Sequence, residues 1–135
     1  MTKILIYTDG GARNNPGPAG VGVVIQDGAK SIELKKYIGE QTNNFAEYEA
    51  LILALTEAKK RGLAEREIEV RMDSELIVRQ MTNEYQVKEE TLWPQYMKVH
   101  NLIVAHFPHA KFVHVRREEN KEADRLVNEA IDEAS

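Results

Sequence analysis

The first 39 residues hold only strand patterns and turn formers, and no helical periodicity interrupts them. Residues 3–9, Lys3-Ile4-Leu5-Ile6-Tyr7-Thr8-Asp9, are the kind of apolar run that fills a buried strand. Residues 10–20 are so dense in Gly, Pro and Asn that a loop is predicted there. Two more strands are predicted at 21–26 and 31–38, with Asp27-Gly28 suited to the hairpin between them. Strands joined without a crossover helix favour antiparallel neighbours. Residues 44–61 then switch to helical spacing, closed by Gly62. Strand and helix alternate afterwards: strand 67–72, a short helix opened by Asp73-Ser74 and running to Met81, helix 92–106, strand 111–116 and helix 120–133. The expected fold class is α/β: a five-stranded mixed sheet, three antiparallel strands then two more, flanked by helices in one domain over residues 1–135.

A chain of 135 residues can bury roughly two thirds of its unfolded surface, so it needs no disulfide or metal staple. It has no Cys, which excludes disulfides, thiolate metal sites and a cysteine nucleophile. Its longest apolar run is the six residues from Ala50 to Leu55, far short of the ~20 that span a bilayer. With no signal-peptide pattern at the N-terminus, the expectation is a monomeric cytoplasmic protein without a membrane partner. Lys plus Arg total 18 and Asp plus Glu 22, a net charge of −4 that argues mildly against nucleic-acid binding.

Most of these acids belong on a solvated surface, but four stand apart. Asp9 ends the most apolar strand, where a turn role is the plain alternative. Glu47 precedes Ala50, Leu51, Ala54, Leu55 and Ala58 at helical spacing, so it lies on its helix's own buried stripe. A lone buried carboxylate is costly unless it meets a cation or donors, or takes up a proton. Glu49, its neighbour, falls off that stripe and reads as surface. Asp73 ends the fourth strand, where it could simply cap the next helix. Asp124 sits in the first turn of the last helix, flanking a stripe of Ala123, Leu126, Val127, Ala130 and Ile131. Two strand ends and two inward-leaning helix positions can converge at one sheet edge. Four clustered carboxylates need cations, and oxygen donors suit Mg²⁺ or Mn²⁺ rather than zinc.

Other features carry less. The glycine-rich stretch lacks the Gly-Lys-Ser/Thr of a phosphate-binding loop. His106 and His109, split by Phe107-Pro108, read as loop residues. Trp93-Pro94 reads as the start of a helix, and Lys59-Lys60-Arg61 as a helix C-terminus answering its dipole.

Four short blocks together resemble the type 1 ribonuclease H (RNase H) family. Thr8-Asp9-Gly10-Gly11 with Asn15-Pro16-Gly17-Pro18-Ala19-Gly20 is similar to its opening, and Thr42-Asn43-Asn44-Phe45-Ala46-Glu47 to its second motif. Asp73-Ser74 matches the third motif, and the run from Arg117 to Asp124 the fourth, in the family's order across essentially the whole chain. The resemblance implies an RNase H-like fold and catalytic acids at Asp9, Glu47, Asp73 and Asp124. It implies an RNA/DNA hybrid as partner and substrate, the RNA strand being cut to 3′-hydroxyl and 5′-phosphate ends. Two ions of Mg²⁺ or Mn²⁺ would serve as cofactors, with Asp9 shared between them, Glu47 and Asp73 on the leaving-group side, and Asp124 beside the attacking water.

Reading 2′-hydroxyls in the minor groove would fall to Asn15, Asn43 and Asn44 with backbone groups of Gly10, Gly11 and Ala12. Their plainer roles are turns and, for Asn44, helix capping. Double-stranded RNA is a second substrate to consider. The chain departs from well-known bacterial members in lacking their basic, Trp-bearing protrusion, as in the compact archaeal-like branch. Glu75 stands where those members have Gln, and Arg117 stands in place of a catalytic-loop His. Arg117 could meet a substrate phosphate, or merely pair with Glu118 or Glu119, with His114 as the alternative proton handler. The rival readings are a non-catalytic hybrid-binding module on the same fold and a phosphoacceptor signalling domain. The second needs alternating parallel units that residues 1–39 do not supply.

Overall fold

The computed structural model describes residues 2–135. Five strands, β1 (Ile4–Ala12), β2 (Gly17–Asp27), β3 (Lys30–Gln41), β4 (Ile68–Met72) and β5 (Ala110–His114), lie in the order β3-β2-β1-β4-β5. β1–β2 and β2–β3 pair antiparallel, whereas β1–β4 and β4–β5 pair parallel. Four α-helices complete the fold: α1 (Asn43–Lys60), α2 (Glu75–Met81), α3 (Trp93–His106) and α4 (Lys121–Ala134). The expected mixed sheet is present, with each predicted element in its place.

The stretch 10–20 differs from its expectation. β1 runs on to Ala12 and β2 starts at Gly17, with Gly10 opposite Val21, Gly11 opposite Gly20 and Ala12 opposite Ala19. Only residues 13–16 connect the two strands. Gly10 and Gly20 here serve close packing against helices, whereas Gly17 closes the short 13–16 connection. A Cβ on Gly10 would stand 2.3 Å from the backbone carbon of Ala46, inside α1, and one on Gly22 would stand 2.2 Å from the carbonyl oxygen of Ala123, in α4. The two helices therefore reach the sheet along paths that a side chain would block.

α1 buries Ala46, Tyr48, Ala50, Leu51, Ala54, Leu55 and Ala58. Of these, Tyr48, Leu51, Ala54, Leu55 and Ala58 join Ile4, Ile6, Val23, Ile25, Ile68, Val70 and Met72 in one core, where each large side chain contributes roughly 1.5–3 kcal/mol. α4 covers the other face of β2 and β3 through Ala123, Leu126, Val127, Ala130 and Ile131, the stripe expected from sequence. Arg125 pairs with Glu33 on β3 at 2.6 Å, and Lys35 pairs with Glu129 at 3.1 Å, tying the outer side of α4 to the sheet edge. Such exposed pairs add little individually. Glu49 is half-buried rather than fully exposed, because its carboxylate accepts a hydrogen bond from Gln95 Nε2 of α3 at 3.1 Å.

Gly22→Ala should cost about 2–3 kcal/mol in urea unfolding, because the added methyl meets helix backbone that cannot turn aside. A Cβ on Gly28 meets nothing within 4 Å, and its φ of +61° leaves only backbone strain, about 1–2 kcal/mol for Gly28→Ala. Equal losses at the two sites would show that α4 is not seated by the missing side chain.

Candidate active site

In the parallel register of β1 and β4, Thr8 stands opposite Met72. The next residue of each strand, Asp9 and Asp73, therefore emerges at the same end of the sheet. α1 begins beside this end, held by its own first residues. Thr42 Oγ1 accepts from the Phe45 amide at 3.2 Å, and Asn43 Oδ1 accepts from the Ala12 amide at 2.8 Å. Asn15 Oδ1 accepts from the Asn43 amide at 2.9 Å, which binds the 13–16 connection to the same point. One helical turn later Glu47 passes over the bare Gly10, whose amide donates to Glu47 Oε1 at 3.0 Å.

Asp9, Glu47 and Asp73 each offer an oxygen within 4.8 Å of the others. Asp9 and Glu47 are each only 8% exposed, and Asp73 is half-buried. Asp124, on the exposed first turn of α4, lines the same cleft, and its charge reaches Asp9 and Asp73. Asp73 is not a helix cap. Ser74 takes that role, its Oγ accepting from the Ile77 amide at 3.3 Å.

Among the described residues none of the three clustered acids forms an ion pair, and their charge is held mainly against burial and one another. Burial first, then the charges of Asp73 and Asp124, push the Asp9 carboxyl up to about 8 from an ordinary 3.8. Burial and the charges of Asp9 and Asp73 hold Glu47 well above the usual carboxylate range. Asp73 is also raised by burial, though Arg117 partly offsets the effect. Hard oxygen donors without Cys or His, crowded and outside any ion pair, fit a divalent ion such as Mg²⁺ or Mn²⁺.

The cluster floors an open cleft of about 370 Å³. Arg117 lines it, exposed, and pairs with neither Glu118 nor Glu119; Glu119 instead accepts from the Arg116 amide at 3.1 Å. Its charge reaches Glu47 and Asp73. His114 lies on β5, outside the cleft lining. Gly10, Gly11, Ala12 and Asn43 line the cleft, but the amides of Gly10 and Ala12 are already engaged by Glu47 and Asn43. Asn15 holds Asn43 rather than lining the cleft. Asn44 does not cap α1, and it lies in a neighbouring depression with Leu76 and Gln80.

Sequence reasoning passed over Arg13, Asn128 and Asn120. The first two line the cleft. Asn120 is 1% exposed and donates from Nδ2 to the Thr8 carbonyl at 2.9 Å, fixing the start of α4 to β1 beside Asp73. Its signal was legible in part: a polar residue four before Asp124 shares that residue's helix face.

Crowded oxygen donors at the end where antiparallel and parallel strands meet, under an open cleft, are ligands suited to a hard divalent cation. The chain belongs to the ribonuclease H family. A family described as reverse transcriptase-like matches residues 7–130. A bifunctional protein of Mycobacterium tuberculosis is 42% identical over 136 residues, covering 98% of this chain and 36% of its own length. Ribonuclease HI of Halobacterium salinarum is 40% identical over 134 residues, covering 98% of this chain and 66% of that protein. The chain thus spans about a third of the mycobacterial relative. Among solved structures, LC11-RNase H1 in complex with RNA/DNA hybrid is similar at 56% identity and a TM-score of 0.93, covering 97% of this chain and 98% of that one.

The raised carboxyls set a pH dependence. The folded state holds a proton on Asp9 that the unfolded state releases near pH 3.8, so metal-free stability falls as pH rises from about 4 to about 8. Thermal melts without divalent cations should show this decline, and Asp9→Asn should be flatter and melt higher at pH 8. MgCl₂ or MnCl₂ should raise the wild-type melting temperature more at pH 8 than at pH 5, with a smaller gain in Asp9→Asn. Identical metal gains in both proteins would remove Asp9 from the metal site.

Proposed function

We propose that the chain is an endoribonuclease that hydrolyses the RNA strand of RNA/DNA hybrids, leaving 5′-phosphate and 3′-hydroxyl ends. The observation that carries this reading is the unpaired cluster of Asp9, Glu47 and Asp73 with Asp124 beside it, at the floor of a cleft open to a duplex. Family membership and the hybrid bound by a close relative support the choice of substrate. Residues 1–135 are read as one domain, acting as a cytoplasmic monomer. Among the described residues no helix is long and apolar enough to cross a membrane.

Asp9, Glu47, Asp73 and Asp124 would hold Mg²⁺ or Mn²⁺, which when bound would neutralise the phosphate and favour both the attacking water and the departing oxygen. The chain's own residues do the rest. Gly10 fixes Glu47 through its amide, so that carboxylate stays put when its charge is exposed to a cation. Asn43 spends its Oδ1 on Ala12 and keeps its Nδ2 donors for a 2′-hydroxyl at the cleft wall. Asn15 and Gly11 hold that wall in place, and Asn44 extends it beyond the cleft. Arg117 brings a permanent charge and a planar fork to a phosphate oxygen. It cannot exchange protons near neutrality, so its part is electrostatic. Double-stranded RNA shares the 2′-hydroxyls and is a second substrate to assay.

Asp73→Asn keeps the side-chain shape, and Ser74 still caps α2, so cleavage of labelled hybrid should fall by orders of magnitude with an unchanged circular dichroism spectrum. Turnover at the wild-type rate by the pure variant would sink the assignment. Arg117→Ala should lower kcat roughly tenfold to a hundredfold, with Arg117→Lys recovering part of it and neither changing the limbs of the pH–rate profile. A limb lost near pH 6–7 would point to His114 instead. Asn43→Ala should narrow the preference for hybrid over DNA duplex; equal weakening on both would reduce it to a positioning role.

A further inference from the structure

The cleft has two cations on its lining, Arg117 and Arg13, and they are placed differently. Arg117 is unpaired above the acids. Arg13 stands on the exposed connection between β1 and β2, four residues after Asp9, and its guanidinium reaches across to α4. There Nη1 meets Asp132 Oδ1 at 2.7 Å, and Nη2 makes longer contacts to Asn128, 3.3 Å to Oδ1 and 3.5 Å to the carbonyl oxygen. Both partners of the ion pair are open to water, with side-chain exposures of 46% for Arg13 and 65% for Asp132. Pairs of this kind hold weakly and exchange readily.

A polynucleotide entering this cleft brings a row of phosphates past a floor of carboxylates, in a chain whose net charge is −4. Its backbone must be met by cations at the rim. Arg13 has the planar fork that takes a phosphate in two bonds, and a bidentate phosphate contact is stronger than an exposed carboxylate pair. Asn128 lies beside it; its Nδ2 donates to the Asp124 carbonyl oxygen at 3.1 Å and keeps a second N–H that can turn to the same phosphate.

We propose that Arg13 is a phosphate-binding arm of the cleft, parked on Asp132 and Asn128 in the free protein and handed to a backbone phosphate when a duplex binds. Asp132 then acts against binding, because it competes for the same guanidinium. The inference rests on the reading of the cleft as a hybrid-cleaving site.

The opposite signs expected for the two partners make the test sharp. Binding of a fluorescent RNA/DNA hybrid is followed by anisotropy in Mg²⁺, in an Asp73→Asn background so that no cleavage intervenes. Adding Arg13→Gln should weaken Kd about fivefold to tenfold and lower the slope of log Kd against log salt by about one. Arg13→Lys, which keeps charge without the fork, should recover part of the loss. Asp132→Asn should tighten Kd about twofold to fivefold, and the two changes together should match Arg13→Gln alone. An unchanged Kd and salt slope in Arg13→Gln would overturn the proposal. So would an equal tightening by Asp132→Asn with and without Arg13, since that would be general charge repulsion. Cleavage by the wild-type protein bears separately on the reaction, and the anisotropy series alone decides on Arg13.

Discussion

Parallel pairing of β1 with β4 sends Asp9 and Asp73 out of the same end of the sheet, and the rest of the cleft is arranged around those two charges. Carboxylates this close repel, and burial makes the repulsion worse. Their separation is fixed by backbone hydrogen bonds in a ladder that cannot splay without breaking the core beneath it. Burial and crowding therefore hold the carboxyls of Asp9 and Glu47 above the usual carboxylate range. A divalent cation held there would offset that repulsion.

Glycine decides how the two helices approach that sheet end. Without a side chain on Gly10, the first turn of α1 settles onto β1 and delivers Glu47 to the cluster. Without one on Gly22, α4 settles on the opposite face and carries Asp124 to the far side of Asp9. Asn120 ties the start of α4 back to the Thr8 carbonyl, so the helix is located along its axis as well as across it. Each acid thus arrives by its own segment, and Asp9 and Asp73 each feel the charge of Asp124.

Overall charge is a poor guide to what this surface binds. Several acids away from the cleft are paired with bases, as Glu122, Glu129 and Glu33 are with Arg125. A ligand entering the cleft would meet its local field, with the clustered carboxylates below and Arg13 and Arg117 on the lining.

The sequence determined the element order and the buried stripes of α1 and α4, because helical and strand periodicity record which side chain faces inward. Glu47 stood out on an apolar stripe for that reason alone. The 10–20 stretch misled because Gly and Pro are the residues of turns and also those of strands pressed against a helix, and only packing tells the two apart. Likewise Asn15, Asn43 and Asn44 are neighbours in chemistry, yet one ties a loop, one lines the cleft and one faces away from it. Arg13 carried no local signal at all: its place is set by Asn128 and Asp132, more than a hundred residues on. Local pattern fixes what a segment becomes, whereas which distant side chains meet depends on register and helix path, and those are decided only when the chain packs.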